Sequence, residues 1–236
     1  MIPAIETFPT VATWARACAT RLTDGLAASV KARGRAVFAG SGGSTPTPIY
    51  RVMSEAALDW SKIAITLIDE RYVPESSPDS NARLLKRTLL TGKAAAARFV
   101  PLYHPSITVD RSALIAARAL GAEVRGIDVV LLGMGEDGHI CSMFPGSPTL
   151  ESLLSPHLQP TVLGVPAGRD GAAPSMERLS INLPYLVRAE RVILALTGDT
   201  KRAVFESEAV GDPVNRPIAA LIEAGVPLQV LWTETA

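Results

Sequence analysis

The sequence predicts an α/β fold: a mainly parallel sheet covered by helices on both faces. Three observations carry this prediction. Short apolar runs of strand length alternate with longer stretches whose apolar residues recur at helical spacing. The runs "RAVFAG", "IAITLI" and "VVLL" are apolar over almost their whole length, as strands buried on both sides require. Glycine-rich or charged clusters stand directly after such runs, where the carboxyl edge of a parallel sheet would gather them.

Residues 10–33 place Val11, Trp14, Ala15, Cys18, Leu22, Leu26 and Val30 on one helical stripe. Residues 35–40 read as a buried strand, and "TPIYRVMSEAAL" as a helix with Pro46 in its first turn. "IAITLI" (63–68) is the next strand, and a helix follows from about Asn81, capped by Ser80. Further strands are expected at 98–103, 127–132, 160–165, 179–183, 191–196 and 228–232. Helices are expected at 110–121, 148–154, 200–209 and 216–223, the second of them with Ser147 as cap and Pro148 at its first position. The Pro/Gly-rich stretch 164–175 reads as a loop over a site rather than a linker, because the βα pattern resumes at once. One domain over residues 1–236 is expected.

With 47% hydrophobic and 19% charged residues, the chain has the composition of a folded soluble protein. Its formal net charge of +0 creates no general field for nucleic acid or an anionic membrane. Neither is expected as a partner, and any anion must be held locally. No apolar run approaches a membrane span, and the N-terminus lacks the basic start and apolar core of a signal peptide. A cytoplasmic location is expected. Cys18 and Cys141 suggest no disulfide framework.

The spacing Gly133-x-Gly135-x-x-Gly138 after the run 127–132 matches a dinucleotide-binding turn. Glu136 and Asp137, however, put negative charge where a diphosphate would lie. Such a site also needs an acidic residue at a strand end about 20 residues on, and 153–158 ("LLSPHL") supplies none. A catalytic turn is the alternative. In Asp137-Gly138-His139 a group that titrates near neutrality stands beside a carboxylate able to fix its tautomer and raise its basicity. His104 and His157 lack such a setting. A catalytic histidine is the reading of His139 that this spacing favours, and a hydrogen-bonded turn histidine is the alternative. Cys141, two residues on, points to a different face and reads as packing.

Ser41-Gly42-Gly43-Ser44-Thr45 reads as an anion cradle. Its glycines admit close backbone approach, its hydroxyls donate, and a helix N-terminus adds partial positive charge. It lacks the Gly-Lys-Ser/Thr ending of a nucleotide loop, so a monophosphate suits it better. An ordinary capped βα turn is the alternative. Lys201, in the first turn of the 200–209 helix, places a point charge on the same phosphate or is a solvated surface lysine. Arg178 offers a bidentate contact, but in a parallel strand it would stand at the wrong end. Either 179–183 runs antiparallel to its neighbours, or Arg178 reaches the site from the preceding loop. In Asp69-Glu70-Arg71, Asp69 and Arg71 are candidate substrate contacts, with a structural ion-pair cluster as the alternative. No His, Cys and carboxylate spacing matches a metal site, and no Gly-x-Ser-x-Gly elbow is present. A hydrolase built this way would activate water directly.

"SGGSTP", "DERYVP" with "DSNARLL", "GMGEDGHICSMFPGSP", "RLSINLP" and "LTGDTK" together resemble the 6-phosphogluconolactonase family. They stand in the expected order over nearly the whole chain. The broader group includes the glucosamine-6-phosphate deaminases and shares a Rossmann-like α/β fold, which the resemblance implies here. It also implies hydrolysis of 6-phospho-D-glucono-1,5-lactone to 6-phosphogluconate, the second step of the oxidative pentose phosphate pathway. The partner implied is that small sugar-phosphate lactone, with no metal or organic cofactor. His139 matches the family's general base, and Asp137 the residue that supports it. The Gly/Ser loop, Arg178 and Lys201 match its phosphate contacts. Arg71 and the backbone amides of 133–138 are candidates for stabilising an oxyanion.

Phe144 separates this reading from the sister enzymes. The deaminases carry a glutamate at that position, before the Pro-Gly of the turn, where it partners the histidine in ring opening. An apolar ring cannot relay a proton. An amino-sugar-phosphate isomerase or deaminase is thus the second reading, and a non-catalytic sugar-phosphate sensor the third.

Overall fold

The computed structural model describes residues 1–124, 126–169 and 171–234. The chain begins β1 (Ile5–Phe8), α1 (Val11–Arg33), β2 (Ala36–Gly40), α2 (Thr47–Ser54), β3 (Ile63–Leu67) and β4 (Asp69–Arg71). It continues α3 (Asn81–Thr88), β5 (Arg98–Phe99), α4 (Val109–Glu123), β6 (Val129–Leu132), α5 (Leu150–Leu154) and β7 (Val162–Val165). It ends β8 (Arg178–Ile181), α6 (Leu183–Val187), β9 (Arg191–Thr197), α7 (Asp199–Glu208), α8 (Pro217–Glu223) and β10 (Leu228–Thr233).

Seven strands form one parallel sheet in the order β1-β10-β9-β6-β2-β3-β5, flanked by helices. Its central members β2, β3 and β6 are buried at every residue, which is why they read as unbroken apolar runs. α1 crosses this sheet with Trp14, Cys18, Leu22 and Leu26 inward, and the Trp14 indole donates to the Leu231 carbonyl at 3.0 Å. Thr10 caps α1 through a reciprocal box with Thr13, satisfying amides that the first turn leaves free.

From β2 the chain builds outward through β3 and β5, then returns to the other side of β2 and builds outward through β6, β9 and β10. That reversal opens a crevice between the carboxyl ends of β2 and β6. A second, antiparallel sheet, β4-β8-β7, stands apart from the first, with α4 packed on β7 and β8. Among the described residues, no helix is long and apolar enough to cross a membrane.

Several expectations need correction. β8 is antiparallel to both neighbours, as the first alternative for 179–183 requires, but it does so in the separate sheet. It stops at Ile181, because Asn182 leaves the ladder to bond Thr161 and Gln159 and Leu183 opens α6. Asp69-Glu70-Arg71, which follows the strand 63–68, forms a separate short strand. α5 begins at Leu150, not 148; the Ser147 hydroxyl instead engages Thr149 in the turn before it. β5 is two residues long, and α2 ends at Ser54. β1 went unpredicted: four residues at a sheet edge, with two exposed in the middle, carry neither alternation nor an apolar run.

Candidate active site

The cleft at the β2/β6 crevice has a volume of about 230 Å³. The loop after β2 supplies Ser41 to Thr45, the strand pair β4 and β8 supplies Asp69, Arg71 and Arg178, the turn after β6 supplies His139, and α7 supplies Lys201. β9, β6, β2 and β3 are adjacent and parallel, so the clusters that follow them share one edge. Every site residue expected from sequence lines this cleft except Asp137, which reaches it through His139. The stretch 164–175 supplies none of the lining among the described residues.

In the cradle, a Cβ at position 42 would collide with the Asn81 side chain, so only glycine lets the loop lie against α3. The Tyr50 hydroxyl donates to the Ser41 carbonyl at 2.6 Å and pins the start of the loop. Three residues that line the cleft each carry a buried polar atom with no hydrogen-bond partner among the described residues: Ser41 Oγ, Arg71 Nε and Arg178 Nε. Donors so placed suit an incoming oxyanion.

The pleat sorts the three charges of β4. Side chains alternate along a strand, so Asp69 and Arg71 share a face while Glu70 takes the other. Asp69 pairs with Ser180 and Arg71 with Arg178 across the ladder, which brings two guanidinium groups together at the cleft. Asp69 tempers them: Arg178 Nη1 lies 3.6 Å from its Oδ2, which also accepts from the Ser142 hydroxyl at 2.7 Å. Burial pulls the Arg178 guanidinium below its ordinary value, and Arg71 adds to this while Asp69 opposes it. Glu70, fully buried, accepts from the amides of Arg71, Asn81 and Ala82 at 2.7–2.8 Å and from the Ser80 hydroxyl at 3.1 Å. Burial raises its carboxyl despite those donors. Glu70 therefore fastens the N-terminus of α3 to β4.

The turn after β6 closes on itself. Gly135 N donates to the His139 carbonyl at 2.9 Å, and Gly138 N to the Gly135 carbonyl at 3.1 Å. Gly138 has φ +81°, a conformation that favours glycine. No helix follows, since α5 begins only at Leu150, so the glycine spacing is not a dinucleotide turn. Asp137 Oδ1 meets His139 Nδ1 at 2.5 Å and accepts from the His139 amide at 3.2 Å. That bond lowers the Asp137 carboxyl below its ordinary value, with partial burial opposing it. It also assigns the neutral ring a proton on Nδ1, leaving Nε2 with a free lone pair.

Asn81, Met134 and Cys141 also line the cleft and were not singled out as site residues from sequence. Asn81 Nδ2 donates to the Asp69 carbonyl at 3.0 Å; its only signal is its place at the start of a helix on the ligand edge. Cys141 is buried with φ +51°, and burial holds its thiol well above the ordinary value, which suits packing rather than attack. Among the described residues, no group of three or more His, Cys, Asp or Glu is placed to hold a metal ion.

A hydroxyl-lined cradle and three cationic side chains facing a carboxylate-supported histidine define a class. It is an α/β protein whose cleft at the sheet edge gathers hydroxyl and cationic donors beside a histidine. A match to the family of glucosamine-6-phosphate isomerases/6-phosphogluconolactonase spans residues 9–232. A 6-phosphogluconolactonase of Mesorhizobium japonicum is 39% identical over 226 residues, covering 95% of this chain and 93% of its own. That of Rhizobium meliloti is 43% identical over 209 residues, 88% of each chain. The crystal structure of a 6-phosphogluconolactonase from Shewanella baltica superposes with a TM-score of 0.90 at 33% identity, over 99% of both chains. The chain belongs to the glucosamine-6-phosphate isomerase/6-phosphogluconolactonase family.

Proposed function

We propose that this protein hydrolyses 6-phospho-D-glucono-1,5-lactone to 6-phospho-D-gluconate, the second step of the oxidative pentose phosphate pathway, with His139 activating the water. The relatives named 6-phosphogluconolactonase support the reaction. The observation that carries the mechanism is the 2.5 Å Asp137–His139 bond at the wall of a cleft rich in unpartnered donors. A cytoplasmic location goes with this reading as part of the proposal.

His139 Nε2 takes a proton from water as the water oxygen attacks the lactone carbonyl. The resulting oxyanion is stabilised by donors in the cleft, with Arg71 and the amides of 133–138 as candidates. The bond from the carbonyl carbon to the ring oxygen then breaks, and protonated His139 returns its proton to the departing oxygen. Ser41 to Thr45, Arg178 and Lys201 hold the phosphate and so orient the carbonyl, an effect worth several kcal/mol of barrier at about the scale of other anchored substrates. Phe144 stands where ring opening of an amino sugar needs a proton carrier, which weighs against deaminase chemistry.

The test is a coupled assay on freshly generated lactone, corrected for its spontaneous hydrolysis. Rate above background is expected from the native protein, and ammonia release from glucosamine 6-phosphate is not. A folded His139→Ala protein with full activity would remove the base from this mechanism.

A further inference from the structure

We propose that Glu208, clamped by Arg216, is a positioning residue for the turn that carries His139. α7 starts at the cleft with Lys201; about two turns further on, Glu208 is 3% exposed and lies behind the turn after β6. A Cβ at Gly138 would stand 2.5 Å from Glu208 Cδ and 2.8 Å from its Oε2, so the carboxylate abuts the backbone between Asp137 and His139. Oε1 accepts from Arg216 Nη1 at 2.5 Å, while Oε2 has no hydrogen-bond partner among the described residues. Gly211 N donates to the Glu208 carbonyl and Arg216 N to the Asp212 carbonyl, folding the α7–α8 connection back onto this pair.

Burying a carboxylate with one oxygen unsatisfied is unfavourable where an apolar side chain would fill the space. The arrangement makes sense as a fixed wall. The turn holds itself with two backbone bonds and the two Asp137–His139 contacts, its Asp137 side chain is nearly half exposed, and the Glu208 carboxylate closes the side of Gly138 away from those bonds. The charge-assisted bond to Arg216 fixes the carboxyl plane against that glycine. Because Lys201 and Glu208 share one helix, the proposed phosphate anchor and the wall behind the proposed base keep a fixed spacing.

The inference rests on His139 being the base, and the experiment separates the two. Glu208→Ala, Glu208→Gln and Arg216→Met are compared with the native protein by steady-state lactone hydrolysis, thermal unfolding and NMR of the Gly138 and His139 amides. Glu208→Ala should lower kcat about tenfold with KM within about twofold, the signature of a small displacement of a catalytic group. Its Gly138 and His139 amide signals should move. Glu208→Gln keeps the shape and should restore most of kcat; Arg216→Met should fall between them, and these two carry the test if the alanine variant does not fold. A lowered unfolding midpoint with native kcat and unmoved amides overturns the proposal. So does a kcat loss in Glu208→Gln as large as in Glu208→Ala. If His139→Ala proves active, the base assignment fails, and the amide shifts still decide whether Glu208 positions the turn.

Discussion

The His139 imidazole lies against the Phe144 ring, with centroids 4.2 Å apart and planes 31° from parallel. The Arg178 guanidinium stands 5.3 Å from the centre of the same ring. One buried aromatic thus touches both the proposed base and a proposed phosphate contact. Phe144→Ala should lower stability by about 3–5 kcal/mol, the usual range for a buried Phe, and should reduce kcat and raise KM together. Phe144→Leu should lose less of each. Denaturant unfolding and steady-state kinetics measure both, and unchanged kinetics in the alanine variant would show that the ring is packing alone.

Asp137 is held below the ordinary carboxylate value of 3.8 by its bond to His139. A depressed carboxyl contributes stability above its unfolded value and loses it as pH falls through the folded one. The stability that native protein holds over Asp137→Asn should therefore shrink as pH falls below about 4. The same variant should lose about 10²-fold or more in kcat, because an amide no longer enforces the Nδ1–H tautomer. A difference that does not shrink in acid would contradict the assignment.

Lys201→Met and Arg178→Lys probe the anchor. Removing a charged hydrogen bond costs about 1.5–3 kcal/mol, so each should raise KM about tenfold or more with a smaller change in kcat. Lysine should not rescue Arg178, because it lacks the planar fork that stands over the Phe144 ring. Native KM in both variants would remove these residues from phosphate binding.

Glu70→Gln replaces an all-acceptor group by one that must aim an NH₂ at backbone donors. With three amides depending on it, the loss should be about 1–3 kcal/mol for each donor left unsatisfied. KM should rise as well, because Arg71 and Asn81 flank the same junction. A native unfolding midpoint would show that the carboxylate is dispensable as a cap.

The parts of the site that sequence reasoning reached are those set by local signals. The clusters Ser41 to Thr45, Asp137 to His139 and Lys201 each follow an apolar run, and a run's position implies a sheet edge. Glu208 and Asn81 carried no such signal: one looks like any surface glutamate of an amphipathic helix, the other like a first-turn residue. Asp69 and Arg71 were legible as charges but not as a pair facing Arg178, because that requires knowing that β4 and β8 are antiparallel. The 164–175 loop is the opposite case, since glycine and proline mark a turn without saying which surface it covers.

The sequence by itself determined the α/β class, the parallel core and the edge at which polar clusters gather, because periodicity and unbroken apolar runs are properties of neighbouring residues. Tertiary structure alone decided the second sheet, the division of Asp69, Glu70 and Arg71 between cleft and interior, and the contacts of Phe144 with Arg178 and of Glu208 with Gly138. Those depend on strand pairing and helix docking between segments far apart in the chain, where register, not composition, chooses which side chains meet.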